Sequence, residues 1–157
     1  MVSDEQFKAA LGRLASGVTI VTTVDEAGNP VGLTVTAFTS VSLKPPLVLV
    51  CIDRGANTHE WFSLKSRFVV NLLAEHQDRI SSLFASKSVQ NRFAEIAFKP
   101  NEHRIPVIDG CLATLECVVE NLYDGGDHTI FVGAVLDATS REGKPLLYYG
   151  GRYGRLG

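Results

Sequence analysis

Five short hydroxyl side chains crowd the segment between Gly32 and Leu43: Thr34, Thr36, Thr39, Ser40 and Ser42. They alternate with apolar neighbours such as Val35, Ala37, Phe38 and Val41, and packing alone does not call for them. Short hydroxyls beside backbone N–H groups at a strand end suit a polar planar ring or a phosphate. The bland alternative is β-propensity, which places Thr and Ser on a solvated pleated surface. The tract adjoins Pro45-Pro46, which interrupts the chain before the apolar run Leu47–Ile52, and this setting favours a binding role.

A second candidate is Arg54-Gly55-Ala56-Asn57-Thr58, which follows that apolar strand. The spacing predicts a short helix over Thr58–Leu64, with Asn57 as cap and Glu60 three residues on. Free N–H groups at a helix start, a Thr hydroxyl and an Arg would attract an anion. An ordinary capped helix explains the same residues. A third candidate is Gly125-Gly126-Asp127-His128. The glycines read as a hairpin turn. Asp127 next to His128 could tune an imidazole near neutral pH, although neighbours in a strand point to opposite faces. A fourth is the tail Tyr148–Arg155, where Tyr149 and Tyr153 with nearby arginines could stack on a heteroaromatic ring. Lys87, Arg92 and Phe93 sit in a long polar stretch, Ser86–Pro106, read as a loop with one helical turn near Phe93.

Other chemistries lack their motifs. No GxGxxG follows a strand, and there is no GxxxxGK[ST] or G-x-S-x-G. The four histidines are scattered and the three cysteines form no CxxC, so no zinc pattern emerges.

The elements that must position these residues are mostly strands. Ser3–Leu14 reads as a helix with a Ser3/Gln6 capping box and the stripe Phe7, Ala10, Leu11, Leu14. A hairpin follows, with its turn at Asp25–Pro30 and its second arm over Val31–Ala37. Leu47–Ile52 is continuous and apolar, as for a strand covered on both faces. Arg67–Leu73, Cys111–Tyr123, Thr129–Leu136 and Leu146–Tyr149 are further strands, and Gln77–Phe84 is a helix. About seven strands that do not alternate with helices indicate a mainly β fold, an antiparallel barrel with peripheral helices.

A length of 157 residues suits one domain spanning 1–157, large enough to bury a core. A net charge of −2 without a Lys/Arg run argues against a nucleic-acid partner. The polar N-terminus and the absence of a long apolar run indicate neither a leader nor a membrane span. Cys51 and Cys117 in apolar runs suit reduced core thiols, hence a cytoplasmic protein.

Four stretches in order carry a resemblance: Ala15–Thr23, Gly32–Leu43 with Pro45-Pro46, Phe68–Leu73 and Gly126–Val135. From about Phe7 to Tyr153 the chain resembles the short-chain flavin reductases of two-component flavin-dependent monooxygenases, the flavin reductase-like split-barrel family. The resemblance implies a six-stranded antiparallel split barrel, the FMN-binding split barrel, assembled as a homodimer. It implies reduction of FMN or FAD by NADH or NADPH, the reduced flavin diffusing to a separate oxygenase. It places Thr34 to Ser40, including Ala37 and Phe38, along the isoalloxazine, with Cys51 beside them. It places Asp53, Arg54, Asn57 and Thr58 on the ribityl and phosphate groups; Lys87, Arg92 and Phe93 of the long loop, a solvated face by default, stand beside them as cofactor-binding candidates from their residue types. It sets His128 near the nicotinamide together with Tyr149 or Tyr153. Family members often carry Ser-Ser or Asn-Ala before the Phe, where this chain has Thr36-Ala37, so the contact implied at Ala37 falls to its backbone. A flavin carrier on the same barrel is the alternative, and a pyridoxamine-phosphate-oxidase-like enzyme would need a basic cluster that the sequence does not display.

Overall fold

The structure is a computed structural model that describes all residues, Met1–Gly157. Helix α1 spans Asp4–Leu11 and begins with the expected capping box: Ser3 Oγ accepts the Gln6 N–H at 3.1 Å and Gln6 Oε1 accepts the Ser3 N–H at 3.0 Å. The helix ends at Gly12, short of Leu14. Its stripe does not reach the core, because Phe7, Leu11 and Leu14 are all exposed.

The strands are β1 (Ser16–Gly17), β2 (Thr19–Val24), β3 (Pro30–Val35), β4 (Phe38–Leu43), β5 (Pro46–Asp53), β6 (Arg67–Leu72), β7 (Phe98–Pro100), β8 (Pro106–Ile108), β9 (Ala113–Gly125), β10 (His128–Ser140), β11 (Leu147–Tyr149) and β12 (Arg152–Gly154). Helix α2 spans Asp78–Ala85. Seven strands form one antiparallel sheet in the order β3-β2-β6-β9-β10-β5-β4. Its two outermost strands, β3 and β4, are consecutive in the chain and joined only by Thr36-Ala37. A link that short forces the sheet to curl until its edges nearly meet. The result is a barrel split at Thr36-Ala37, with six strands if the bent segment Pro30–Leu43 is counted once.

Alternation fills the interior. Val48, Val50 and Ile52 of β5 point inward and meet Phe68, Val70, Cys117, Val119 and Phe131. Their neighbours Leu49 and Cys51 are only half-buried, so β5 is not covered on both faces as its apolar run suggested. That second face is left for the site described below. A second cluster, built on Ile20, Leu73, Phe84, Ile108 and Leu146, covers the other side of β2 and β6 beneath α2 and β8. The threonines of β2 are buried because each hydroxyl finds a carbonyl: Thr19 donates to Val35 at 2.6 Å, Thr22 to Pro106 at 2.6 Å and Thr23 to Arg67 at 2.8 Å. Asn71, fully buried, donates to Ile20 O at 3.0 Å and accepts the Ile108 N–H at 2.9 Å, tying β8 to the barrel.

Two local expectations change. Residues Thr58–Leu64 make only a single 3₁₀ turn, His59–Trp61, and Asn57 does not cap it. The stretch Ser86–Pro106 is not all loop: beyond the expected turn, here Arg92–Glu95, strand β7 pairs with β8. Three-residue strands give too little alternation to be read from sequence.

Gly133 shows how tightly the barrel closes. A Cβ there would lie 2.6 Å from Cζ of the fully buried Phe68 and 3.3 Å from Cys117 Cβ. Gly133→Ala is expected to destabilise the fold by about 1–3 kcal/mol, read as a Tm several degrees lower. An unchanged Tm would mean that this strand crossing is looser than described.

Candidate functional site

The barrel's split is where the hydroxyl tract comes apart into separate roles. Thr34 Oγ1 donates to Ser81 O at 2.7 Å and so anchors β3 to α2. Ser40 and Ser42 lie on β4, a largely exposed edge strand, away from the cleft. Thr36, Ala37, Phe38 and Thr39 line one wall of a cleft of about 600 Å³, with Leu49 and Cys51 beside them and Ser16-Gly17 and Leu146 among the facing residues. The carbonyls of Thr36 and Ala37 accept the Phe38 and Cys51 N–H groups, at 2.9 and 3.0 Å. The N–H groups of Thr36 and Ala37 themselves find no acceptor within the chain. An apolar slot with two adjacent unspent N–H donors can hold a flat heteroaromatic ring and stabilise negative charge at its edge.

Burial raises the Cys51 thiol above its ordinary range, and burial pushes Cys111 and Cys117 up to about 12. Cys51 is half-buried and lines the cleft, whereas its apolar strand had suggested a core thiol. A thiol reagent on the native protein is expected to titrate Cys51 alone and slowly, and FMN or FAD should slow it further. Labelling of Cys51 unaffected by flavin would place the ring elsewhere.

His128 opens β10 opposite Asp53, two residues along from the pair Ile130–Cys51. Opposed residues share a face, so His128 stands on the same face as Cys51, about 7 Å further along the strand. Asp127 is not in the strand but in the two-residue turn, with Gly126 at φ 70° as a type II′ turn requires. That position lets its carboxylate reach the His128 ring, Oδ1 to Nδ1 at 2.7 Å, despite their adjacency in sequence. The hydrogen bond from His128, then the charge of its ring, hold the Asp127 carboxyl below its usual range.

A second cleft of about 660 Å³ gathers Asn57, Thr58, Trp61, Lys87, Arg92 and Phe93 among its lining. Thr58 is buried, and its hydroxyl is the one buried side-chain oxygen or nitrogen with no hydrogen-bond partner. A donor left this way is costly unless a ligand takes it. Lys87 has no carboxylate partner. The other cations are engaged: Arg54 pairs with Asp124, and Arg92 donates to Gly32 O at 3.0 Å and Ser86 O at 2.5 Å. Arg92 thus holds the 87–93 loop in place, and burial lowers its pKa. Asp53 turns inward on its own loop, accepting the Gly55 N–H at 2.7 Å. Phe93 packs edge-on against Phe84 and Phe98.

Tyr149 and Tyr153 line a different, open groove between α1 and β11–β12. The Tyr153 hydroxyl lies 2.7 Å from Ser81 Oγ, so that ring is fixed to α2. Within one chain neither tyrosine reaches the first cleft, to which the same segment contributes Pro145 and Leu146 instead. The reading from sequence did not single out Trp61, although it is the chain's sole tryptophan.

Residues 11–157 match the model of the flavin reductase like domain. The chain belongs to the flavin reductase-like family. It is 40% identical to the FMN reductase (NADH) SmoA of Agrobacterium fabrum, over 98% of this chain and 87% of that protein. It is 37% identical to HsaB of Mycobacterium tuberculosis, the reductase subunit of a flavin-dependent monooxygenase, over 97% and 82% of the two. The NADH:FAD oxidoreductase SgcE6 of Streptomyces globisporus, solved with NAD and FAD fragments, superposes with a TM-score of 0.91 at 37% identity, covering 100% of this chain and 96% of that one. The slot's apolar walls suit a flat ring, and the unpartnered Thr58 hydroxyl suits an anionic acceptor.

Proposed function

We propose that this chain is an NAD(P)H:flavin oxidoreductase that takes free FMN or FAD as substrate and delivers reduced flavin to a separate monooxygenase. The observation that carries this reading is the pair of unspent N–H groups at Thr36 and Ala37, set in an apolar slot on the face shared with His128. A flavin held in the slot would supply the redox chemistry as the hydride acceptor and, once reduced, would carry negative charge along one edge of its ring. The Thr36 and Ala37 N–H groups, fixed where the two edge strands meet, offset that charge with no reorganisation. Leu49, Phe38 and Leu146 give the slot apolar walls for the ring faces. Asn57, Thr58 and Lys87 hold the phosphate end. His128, oriented through Nδ1 by Asp127, offers Nε2 to the nicotinamide carboxamide and positions it; hydride transfer needs no proton from it.

The working form in this reading is a homodimer. Phe7 and Leu11 on α1, Leu14 just beyond it, and Val41 and Leu43 on β4, are large apolar side chains left exposed in one chain. Sedimentation is expected to give twice the chain mass, and Leu43→Asp to shift it toward monomer. A monomeric wild type would remove the dimer from the account.

The function is tested by NADH absorbance loss in the presence of added flavin. The reading expects loss that saturates with FMN or FAD and vanishes without them. No loss with either flavin, with NADH or NADPH as reductant, would refute it.

A further inference from the structure

Resting on the flavin reductase reading above, we propose that Thr19 is a positioning residue for flavin reduction: its buried hydroxyl fixes the peptide that presents the Thr36 N–H to the reduced ring. Thr19 is buried on β2, and its Oγ1 donates to Val35 O at 2.6 Å. That carbonyl and the Thr36 N–H belong to one peptide unit. A trans peptide is planar, and its C=O and N–H point in opposite directions. Holding the Val35 carbonyl against Thr19 therefore turns the Thr36 N–H away from Thr19, to where no acceptor of the chain meets it.

The next peptide unit is tied in the same way. Thr36 O accepts the Phe38 N–H at 2.9 Å, and this bond sets the direction of the Ala37 N–H. Thr36 and Ala37 stand outside the β2–β3 and β4–β5 ladders, so their orientation rests on local bonds of this kind. Of the two ties, only the first is made by a side chain. Thr22 and Thr23, also buried on β2, donate to Pro106 O and Arg67 O, and neither of those peptides lines the slot. Thr19 does line it, and its acceptor belongs to the junction of the two edge strands. A donor offsets developing charge best when its direction is fixed beforehand. Without the Thr19 bond the Val35–Thr36 peptide is freer to turn. The reduced, negatively charged ring then loses more than the neutral oxidised ring, because bonds to charged acceptors are the stronger ones.

Calorimetric Kd values for oxidised and dithionite-reduced FMN and FAD, taken without oxygen on the wild type, Thr19→Val and Thr19→Ser, test this. Thr19→Val keeps the shape and lacks the donor. It is expected to weaken binding of the reduced flavin about five- to tenfold and of the oxidised flavin less than about twofold. Thr19→Ser keeps the hydroxyl and should restore the wild-type ratio. Equal losses for the two redox forms in Thr19→Val, or an unchanged ratio, would overturn the proposal, as would a serine variant that behaves like the valine one. If Thr19→Val does not fold, the wild type decides. Reduced flavin should slow amide hydrogen exchange at Thr36 and Ala37 more than oxidised flavin does, and equal or absent protection overturns the proposal. If neither flavin binds the wild type in either redox form, the flavin reductase reading itself has failed, an outcome distinct from the failure of Thr19 as a positioning residue.

Discussion

Replacing Thr58 by valine is expected to weaken FMN binding about tenfold while leaving the folded protein as stable or more so. The two effects have opposite signs because of one atom. Thr58 Oγ1 is buried and unpaired, so the free protein carries the cost of a desolvated hydroxyl. Valine keeps the shape and removes that cost, which for an unsatisfied buried group is about 1–3 kcal/mol. With a phosphate bound, the same hydroxyl becomes a donor to a charged acceptor, a bond typically worth about 1.5–3 kcal/mol. Riboflavin has no phosphate and should bind the variant as it binds the wild type. The checks are Kd values for FMN and riboflavin and a melting curve. Equal loss for both flavins would take Thr58 off the phosphate. A lower Tm would show that its hydroxyl already serves the fold.

His128→Ala is expected to raise the KM for NADH about tenfold, with kcat and flavin Kd nearly unchanged, the loss corresponding to one hydrogen bond to the nicotinamide. The ring is half-exposed and touches the fold chiefly through Asp127, so its removal leaves the barrel intact. The Asp127 carboxyl, held below its usual range, stays ionised as pH falls until its lowered pKa is reached, so the orienting bond persists across neutral pH. Asp127→Asn should therefore show the same effect in smaller measure, through a ring less firmly oriented. A collapse of flavin binding in His128→Ala would place the imidazole against the flavin. A loss of kcat at constant KM would give it a part in the chemical step.

The barrel was legible because its signals are long. Ile20, Val35, Val50 and Phe68 sit in runs whose period and composition survive inspection, and the Ser3/Gln6 box marks the start of α1 to within a residue. Where the chain departs from expectation, the determinants are tertiary. Leu47–Ile52 reads as covered on both faces, yet Leu49 and Cys51 are only partly covered because the edge strands do not fully close over them. Thr34 and Thr36 look alike in sequence. One is spent on Ser81 and the other faces the slot, since the chain bends between β3 and β4. In sequence Arg54 reads as a phosphate partner, with Lys87 and Arg92 as loop residues of lesser claim, yet Asp124 engages Arg54 and two carbonyls engage Arg92, while Lys87 stays without a carboxylate. Asn57 promised a helix cap, but the helix reduces to one turn. Trp61 carried no motif, and only the fold sets it in the cleft of the orphaned Thr58 hydroxyl.

The central claim is that flavin is a substrate here and not a resident group. An anaerobic reaction with limiting protein, excess FMN or FAD and excess NADH tests it most directly, by following flavin bleaching and NADH loss together. The account predicts one NADH consumed per flavin reduced, continuing through many flavins per chain until free flavin is exhausted. Bleaching that stops after one flavin per chain would contradict it and make this barrel a holder of flavin rather than a source of reduced flavin.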